Sequence, residues 1–407
     1  MKKWYSLALG IVTATGGFLD AGTVATSGEA GAKFGLGLIW AIIIATLAIV
    51  LLTEMVGRFS AVSKKTYADA IRENFGFRFF LLPLISETIA ESLLLAAELG
   101  GIAIALSLLT GISWHVLFPV AALLVFVMAW RAPFNLIENA PALLGLLALA
   151  FVIGVVALGG PSFHLLPTLW KPEIKPGQLS SYLYLVAAIL GATISPYMLY
   201  FYSSGALEEG WSGSSLLLNR VTAILGMGFG SLSSIGLVIM SAIVLQPLNL
   251  NASTLGEVGL PLARAFGPIG GIIFAVILFA TCLGAALEVV LAYSYFIAQG
   301  FGWEWGENKP PAKAARFNLV IILMLIVAVV IGLLGNDPQS LALLASTVIA
   351  LLLPISLFPF LVLMNDPQYL GDKVNRSFLN WAIIAILLIA FVVALVSLPL
   401  ELLGGGG

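Results

Sequence analysis

The residue with the most distinctive chemistry is Asp20, an acidic side chain that stands between Gly17 and Gly22 in an otherwise apolar stretch. A carboxylate in the middle of a membrane costs roughly 3 kcal/mol or more unless it is paired or solvated. The nearest basic residue is Lys33, about three helical turns further along the chain. Asp20 therefore either caps a half-helix through the N–H groups freed at 21–23, or binds a cation. Both roles are compatible, because a carboxylate has two oxygens.

A second interruption is predicted at Ser195-Pro196, inside the apolar segment 180–206. Pro196 has no N–H and disturbs the helix before it, which frees carbonyls such as that of Ala192. Carbonyl oxygens are ligands for hard cations, although a proline kink without any ligand is the alternative. Two broken segments five helices apart indicate an inverted-repeat transporter whose substrate site lies between the breaks.

Three glutamates mark the third apolar segment. Glu87, Glu91 and Glu98 share one stripe of a helix, because they are four and seven residues apart. No lysine or arginine occurs between Arg78 and Arg131. Unpaired carboxylates on one face inside a membrane indicate a water-filled path that attracts cations. Protonated glutamates that are hydrogen-bonded within the bundle are the alternative.

The composition excludes most soluble classes of protein. Of the 407 residues, 60% are hydrophobic and 9% are charged, whereas soluble domains carry about 25% charged residues. The single cysteine, Cys282, excludes an internal disulfide or a thiolate cluster. The only histidines, His115 and His164, are predicted at helix ends or in loops. We therefore expect neither an enzyme nor a bound cofactor.

The elements that position these residues are membrane-spanning helices, each of which needs about 20 apolar residues. We expect an all-α integral membrane protein with eleven spans, of which the first and sixth are broken. They are 5–32, 35–57, 78–110, 114–130, 137–158, 180–206, 216–245, 269–299, 317–335, 341–364 and 378–402.

The spans are expected to form a single transmembrane domain over 1–403. Repeat one covers about 5–158 and repeat two about 180–364, the helix at about 378–402 is additional, and 404–407 is a tail or remnant. Fourteen of the 18 lysines and arginines fall on the side of the N-terminus. This bias predicts a cytoplasmic N-terminus.

Several segments resemble the Nramp family of divalent-metal transporters. The family motifs Asp-Pro-Gly-Asn, A-G-A-x-F-G, A-E-A-I-R-E and G-A-T-x-M-P-H-N-L-Y have similar counterparts in order and spacing. These counterparts are 20–23, 30–35, 68–73 and 191–200, with Pro354 and Pro359 also matching the family's helix 10. The resemblance implies a LeuT-like inverted repeat, helices 1–5 and 6–10, over most of 11–372.

The resemblance also implies a metal site formed by Asp20, Thr23, Ser195 and the carbonyl of Ala192. Thr23 replaces the family's asparagine, and Ser195 replaces its methionine. A thioether favours transition metals over Mg²⁺, so its loss leaves a roomier site made of oxygens alone. Such a site suits a partly hydrated Mg²⁺. The pattern is similar to that of the prokaryotic Nramp-related magnesium transporters.

This sequence also departs from the family motifs at residues that could carry protons. The family's two helix 6 histidines fall on Tyr197 and Tyr202, and the aspartate near Glu98 falls on Leu95. A tyrosine, with a pKa of about 10, cannot relay protons at neutral pH as histidine does. We therefore expect transport without proton coupling. The residues that line the ion path or surround the site would be Gly22, Glu91, Glu98, Tyr197 and Ser346, the last in place of a glutamine.

The expected function is import of divalent cations, Mg²⁺ first, by alternating access across the inner (plasma) membrane of a prokaryote. The expected partners are the ion and the lipid bilayer, without nucleic acid or an obligatory protein partner. The first alternative is a Mn²⁺ or broad-range transporter with proton coupling. An amino-acid or organic-solute carrier is a second alternative, because the same architecture binds carboxylates at half-helix N-termini. A membrane receptor or chaperone subunit that transports nothing is the third.

Overall fold

A computed structural model describes residues 18–131, 146–161, 165–169, 174–306, 313–335 and 337–404. Within these ranges the chain is helical and contains no β-strand. Several expectations lie outside the described residues. They are the N-terminal half of the first span, the part of the fifth span at 137–145, the histidine His164 and the tail beyond 404.

The described chain forms fifteen α-helices that are joined by short loops and 3₁₀ turns. They are α1 Ala21–Phe34, α2 Ile39–Ser63, α3 Tyr67–Phe75, α4 Phe77–Thr110, α5 Trp114–Arg131, α6 Leu149–Ala157, α7 Leu179–Thr193, α8 Pro196–Glu208, α9 Leu216–Val244, α10 Leu260–Phe266, α11 Pro268–Phe301, α12 Ala315–Leu334, α13 Pro338–Leu363, α14 Pro367–Leu370 and α15 Ser377–Gly404.

The expected all-α membrane class is confirmed. The helix bounds agree with eight of the expected spans to within three residues, whereas the second span, expected at 35–57, is found at Ile39–Ser63, and the first and fifth spans lie partly outside the described residues. Eight stretches of the described chain are long and apolar enough to cross a membrane, when α7 and α8 count as one. The apolar segments at α5 and α6 are shorter, and α1 has 14 residues. The number of eleven spans is therefore not confirmed.

Both expected breaks border a described helix. α7 ends at Thr193 and α8 begins at Pro196. Proline is favourable at the first position of a helix, because the N–H that it lacks has no intrahelical partner there. At the other break, α1 begins directly after Asp20, which is its N-cap residue.

The core of the bundle brings the second break against α13. α4 packs along α11 and α13, and α13 packs along α7. Gly191 of α7 allows this close approach: a Cβ built on it would lie 1.8 Å from the backbone oxygen of Ser346. The last turn of α7 is thereby held directly against α13.

Arg58 connects the C-terminal part of α2 to the segment before α15. Its guanidinium contacts the Glu54 carboxylate one turn earlier at 3.2 Å, as expected from the i, i+4 spacing. It also donates to the Asn375 side chain at 2.8 Å and to the carbonyl of Lys373. α2 is thus tied to the loop that precedes α15.

Candidate metal site

Asp20 caps the half-helix α1 and shares the cap with Thr23. Asp20 Oδ1 accepts hydrogen bonds from the Thr23 backbone N at 2.6 Å and from the Thr23 hydroxyl at 2.9 Å. In return, the Asp20 backbone N donates to the same hydroxyl at 2.8 Å. This reciprocal pattern is a capping box. Oδ1 serves the cap, so Oδ2 is not needed for it and is the oxygen that could bind a cation.

The second break supplies two further oxygens, those of Ser195 and Ala192. The Ser195 hydroxyl contacts the carbonyl oxygens of Gly191 at 3.1 Å and Ala192 at 3.0 Å. These carbonyls belong to the turn disturbed by Pro196, as expected. A hydroxyl has one proton and two lone pairs, so Ser195 can donate to a carbonyl and still present a lone pair to a cation. Both residues are buried.

Gly22 is where the two breaks and α13 meet. A Cβ built on Gly22 would lie 2.5 Å from Ser346 Oγ, 3.3 Å from Ala192 Cβ and 3.3 Å from Asp20 Oδ1. An alanine at this position would displace the Ser346 hydroxyl and crowd Ala192 and Asp20. The structure thus brings Asp20, Ala192 and Ser346 together around Gly22. Their role in binding a metal ion remains a prediction.

Glu98 has a structural partner that the sequence did not predict. Its two carboxylate oxygens accept hydrogen bonds from the backbone N of Ala21 at 3.0 and 3.2 Å. The side chain is fully buried. An anion at a helix N-terminus is favoured by the partial positive charge there, so Glu98 of α4 holds the start of α1. A role of Glu98 in attracting ions remains a prediction.

Glu87 and Glu91 lie closer to the N-terminal end of α4 than Glu98 does, and both are buried. Glu87 Oε1 accepts hydrogen bonds from the Tyr200 hydroxyl at 3.2 Å and from the Ser356 hydroxyl. Glu91 differs from Glu87, because no hydroxyl or amide side chain in the described part of the chain donates a hydrogen bond to its oxygens. The expected stripe of three glutamates therefore exists, and its members have different partners.

Tyr197, the second residue of α8, stands among the acidic groups of the site. It is buried. Its electrostatic neighbours are the carboxyl groups of Asp20, Glu288, Glu98 and Glu91. In the sequence, Tyr197 is distinguished only by its place in the helix 6 motif. Its position among these acidic groups depends on the packing of α4, α8 and α11.

The donor set limits what the site can bind. Within the described ranges, no three or more His, Cys, Asp or Glu side chains are grouped closely enough to hold a metal ion. A cation beside Asp20 would therefore depend on one carboxylate, neutral oxygens and retained water. Mg²⁺ is commonly bound through one or two carboxylates while it keeps several waters.

Comparisons with known proteins identify relatives over the whole bundle. Residues 10–399 match the family profile described as Nramp, natural resistance-associated macrophage protein-like. The divalent metal cation transporter MntH of Deinococcus radiodurans is 27% identical over 97% of this chain and 89% of its own length.

Solved structures share the architecture at lower identity. A variant of the Eremococcus coleocola manganese transporter has a TM-score of 0.78 at 20% identity and covers 99% of this chain and 89% of its own. MHP1, a nucleobase-cation-symport-1 family transporter, has a TM-score of 0.61 at 13% identity, with 96% and 91% covered. At these identities the likeness shows the fold alone, and the expected LeuT-like fold is confirmed.

Proposed function

Because the chain belongs to the Nramp family, we propose that it imports divalent cations across a prokaryotic plasma membrane by alternating access. The observation that carries the proposal is the buried Asp20 beside Ala192 and Ser346, where the two helix breaks meet. A buried carboxylate at broken backbone is suited to a cation. The relatives are transporters by name rather than enzymes, in line with the expected non-enzymatic role.

The comparisons favour one transported ion, whereas the donor set of the site suits two. The comparisons favour Mn²⁺ over the Mg²⁺ expected from the sequence, because the structural relative is named a manganese transporter. The donor set is made of oxygens, which suit Mn²⁺ and Mg²⁺ alike. We therefore propose a broad-range site that admits both ions, in place of a site selective for Mg²⁺.

The second open property is coupling to protons. The expectation of uncoupled transport depends on the two tyrosines, Tyr197 and Tyr202, that stand where the family has histidines. The names of the relatives described above say nothing about protons. The first alternative function, a Mn²⁺ or broad-range transporter, includes proton coupling. We keep uncoupled transport as a proposal. The membrane potential would then drive uptake by about 2.3 kcal/mol per charge per 100 mV, doubled for a divalent ion.

Uptake into proteoliposomes tests the proposed function directly. With a negative interior potential, Mn²⁺ and Mg²⁺ are each expected to enter saturably and to compete, while a pH dye inside reports no acidification. Vesicles without protein are the control. If neither ion enters, the proposed function is wrong. Entry of Mn²⁺ without Mg²⁺ would remove the broad-range site, and acidification in step with metal entry would remove uncoupled transport.

Replacing Ser195 with methionine is expected to raise the preference for Mn²⁺ over Mg²⁺ about tenfold, because a thioether is a softer ligand than a hydroxyl. The measurement is the ratio of the two initial uptake rates in the S195M variant. Ser195→Ala is the matched control, since it removes the hydroxyl without adding sulfur, and its ratio should not move towards Mn²⁺. An active S195M variant with an unchanged ratio would show that residue 195 does not contact the ion.

A further inference from the structure

Glu87 and Glu91 form a pair of neighbouring carboxyl groups on α4. They are four residues apart, on one face of the helix, and their carboxyl groups interact directly. Both side chains are 1% exposed. The Asp20 site meets α4 at Glu98, which follows Glu91 by seven residues, about 10 Å along the helix axis, and Glu91 also interacts electrostatically with Asp20. Glu87 lies eleven residues before Glu98, about 16 Å along the helix axis.

Three of the four carboxyl oxygens in this pair, Glu87 Oε2, Glu91 Oε1 and Glu91 Oε2, accept no hydrogen bond from another side chain in the described part of the chain. The two carboxyl groups lie within reach of each other, and Glu91 also interacts with the backbone of Tyr197. Buried polar atoms are nearly always satisfied, because leaving one unpaired costs about 1–3 kcal/mol. The fourth oxygen, Glu87 Oε1, accepts from the hydroxyls of Tyr200 and Ser356. The pair is therefore satisfied either by a proton that the two carboxyl groups share or by a cation that they bind together.

The basic side chains of two helices that pack against α4 have other partners: Arg72 of α3 donates to the carbonyl of Gly300, and Arg316 of α12 lies over the ring of Trp303. α8, α11 and α13 contain neither lysine nor arginine over their full lengths. On α4 the only basic residue is Arg78, which precedes Glu87 by nine residues, or about two and a half helical turns. Two carboxylates in a low-dielectric interior repel each other and are costly to ionise together. A divalent cation would neutralise both at once and would take oxygens of the kind that hard cations prefer.

We propose that Glu87 and Glu91 form a second binding site for the transported divalent cation, about two to three turns of α4 from the Asp20 site. The hydroxyls of Tyr200 and Ser356 border this site and complete it with retained water. The site lies towards the N-terminal end of α4, which the distribution of lysine and arginine places on the cytoplasmic side. It receives the ion after the Asp20 site. This inference rests on the proposed function of cation transport.

Counting bound Mn²⁺ on the purified full-length protein tests the second site. Mn²⁺ is the probe, and electron paramagnetic resonance of the free ion gives the number bound at saturation. The unaltered protein is expected to bind two ions per chain. The variant Asp20→Asn should bind one, the double variant Glu87→Gln with Glu91→Gln should bind one, and the triple variant should bind none. An excess of Mg²⁺ should displace both ions.

A matched control removes the same charge elsewhere. Glu73 and Asp372 are carboxylates on the exposed side of the bundle, and the double variant Glu73→Gln with Asp372→Asn should still bind two ions. The ion that the Glu87→Gln, Glu91→Gln variant retains at Asp20 shows that this variant is folded.

The outcomes separate the two proposals. One ion per unaltered chain, lost in Asp20→Asn, would overturn the second site and leave the proposed function standing. Two ions on the Glu87→Gln, Glu91→Gln variant would also overturn it, because the second ion would then lie elsewhere. No bound ion on the unaltered protein would remove the proposed function, and the second site with it.

Discussion

Replacing Asp20 with asparagine is expected to reduce cation uptake by at least about 100-fold while the protein stays folded. Asparagine caps helices about as well as aspartate, so its side-chain oxygen can keep the bonds from Thr23 that Oδ1 now accepts. The variant loses the negative charge and, because the amide NH₂ replaces Oδ2, also the oxygen that is free to bind a divalent ion. A 100-fold loss corresponds to about 2.7 kcal/mol. Initial Mn²⁺ uptake and the melting temperature are the measurements.

The same change at another helix cap is the control. Asp337 is the N-cap residue of α13, where its side chain accepts from the Ser340 backbone N at 3.0 Å. Asp337→Asn therefore makes the identical chemical change at a cap that lies at the surface. It should leave uptake unchanged. Normal uptake by the Asp20→Asn variant would show that the ion does not bind at Asp20.

Replacing Gly191 with alanine is expected to abolish uptake and to lower the melting temperature. The added Cβ would lie 1.8 Å from the backbone oxygen of Ser346 and 2.8 Å from the backbone N of Ala350. Backbone atoms cannot rotate away as a flexible side chain can, so α7 must move away from α13. Overpacking of this kind costs about 1–3 kcal/mol, occasionally more. The shift also carries Ala192 away from Asp20.

Gly205 provides the control in the other half of the same broken span. A Cβ at Gly205 would meet nothing within 4 Å, and alanine is a better helix former than glycine by about 1 kcal/mol. Gly205→Ala should therefore keep full uptake and melt no lower than the unaltered protein. If Gly191→Ala behaved like Gly205→Ala, the close contact between α7 and α13 would not be needed for transport.

The helical architecture was predictable because its signals are local. Apolar length predicts the long helices, so α4 was expected at 78–110 and is found at Phe77–Thr110. The break at Ser195-Pro196 was predictable because proline cannot donate to the preceding turn. The other break was predictable because Gly17 and Gly22 flank Asp20, an acidic residue in an apolar segment. In each of these cases the cause and the structure lie within one segment of sequence.

The contacts between segments were not predictable from local signals. Glu98 meets the backbone N of Ala21 across 77 residues of sequence, and Glu87 meets Ser356 across 269. Both contacts depend on how α4 packs in the bundle. The capping box was partly accessible, because Asp20 and Thr23 have the three-residue spacing that such a box requires. The cap by Asp20 was foreseen, whereas the return bond to the Thr23 hydroxyl was not.

The break at Ser195 carries a hydroxyl where the family motif has a thioether, and this difference bears on oxidative stress. Methionine sulfur is readily converted to a sulfoxide, which turns a soft ligand into a polar, hard one. Asp20, Thr23, Ala192 and Ser195 offer only carboxylate, hydroxyl and carbonyl oxygens. If these residues hold the ion as proposed, the ligand set contains no sulfur that peroxide could oxidise.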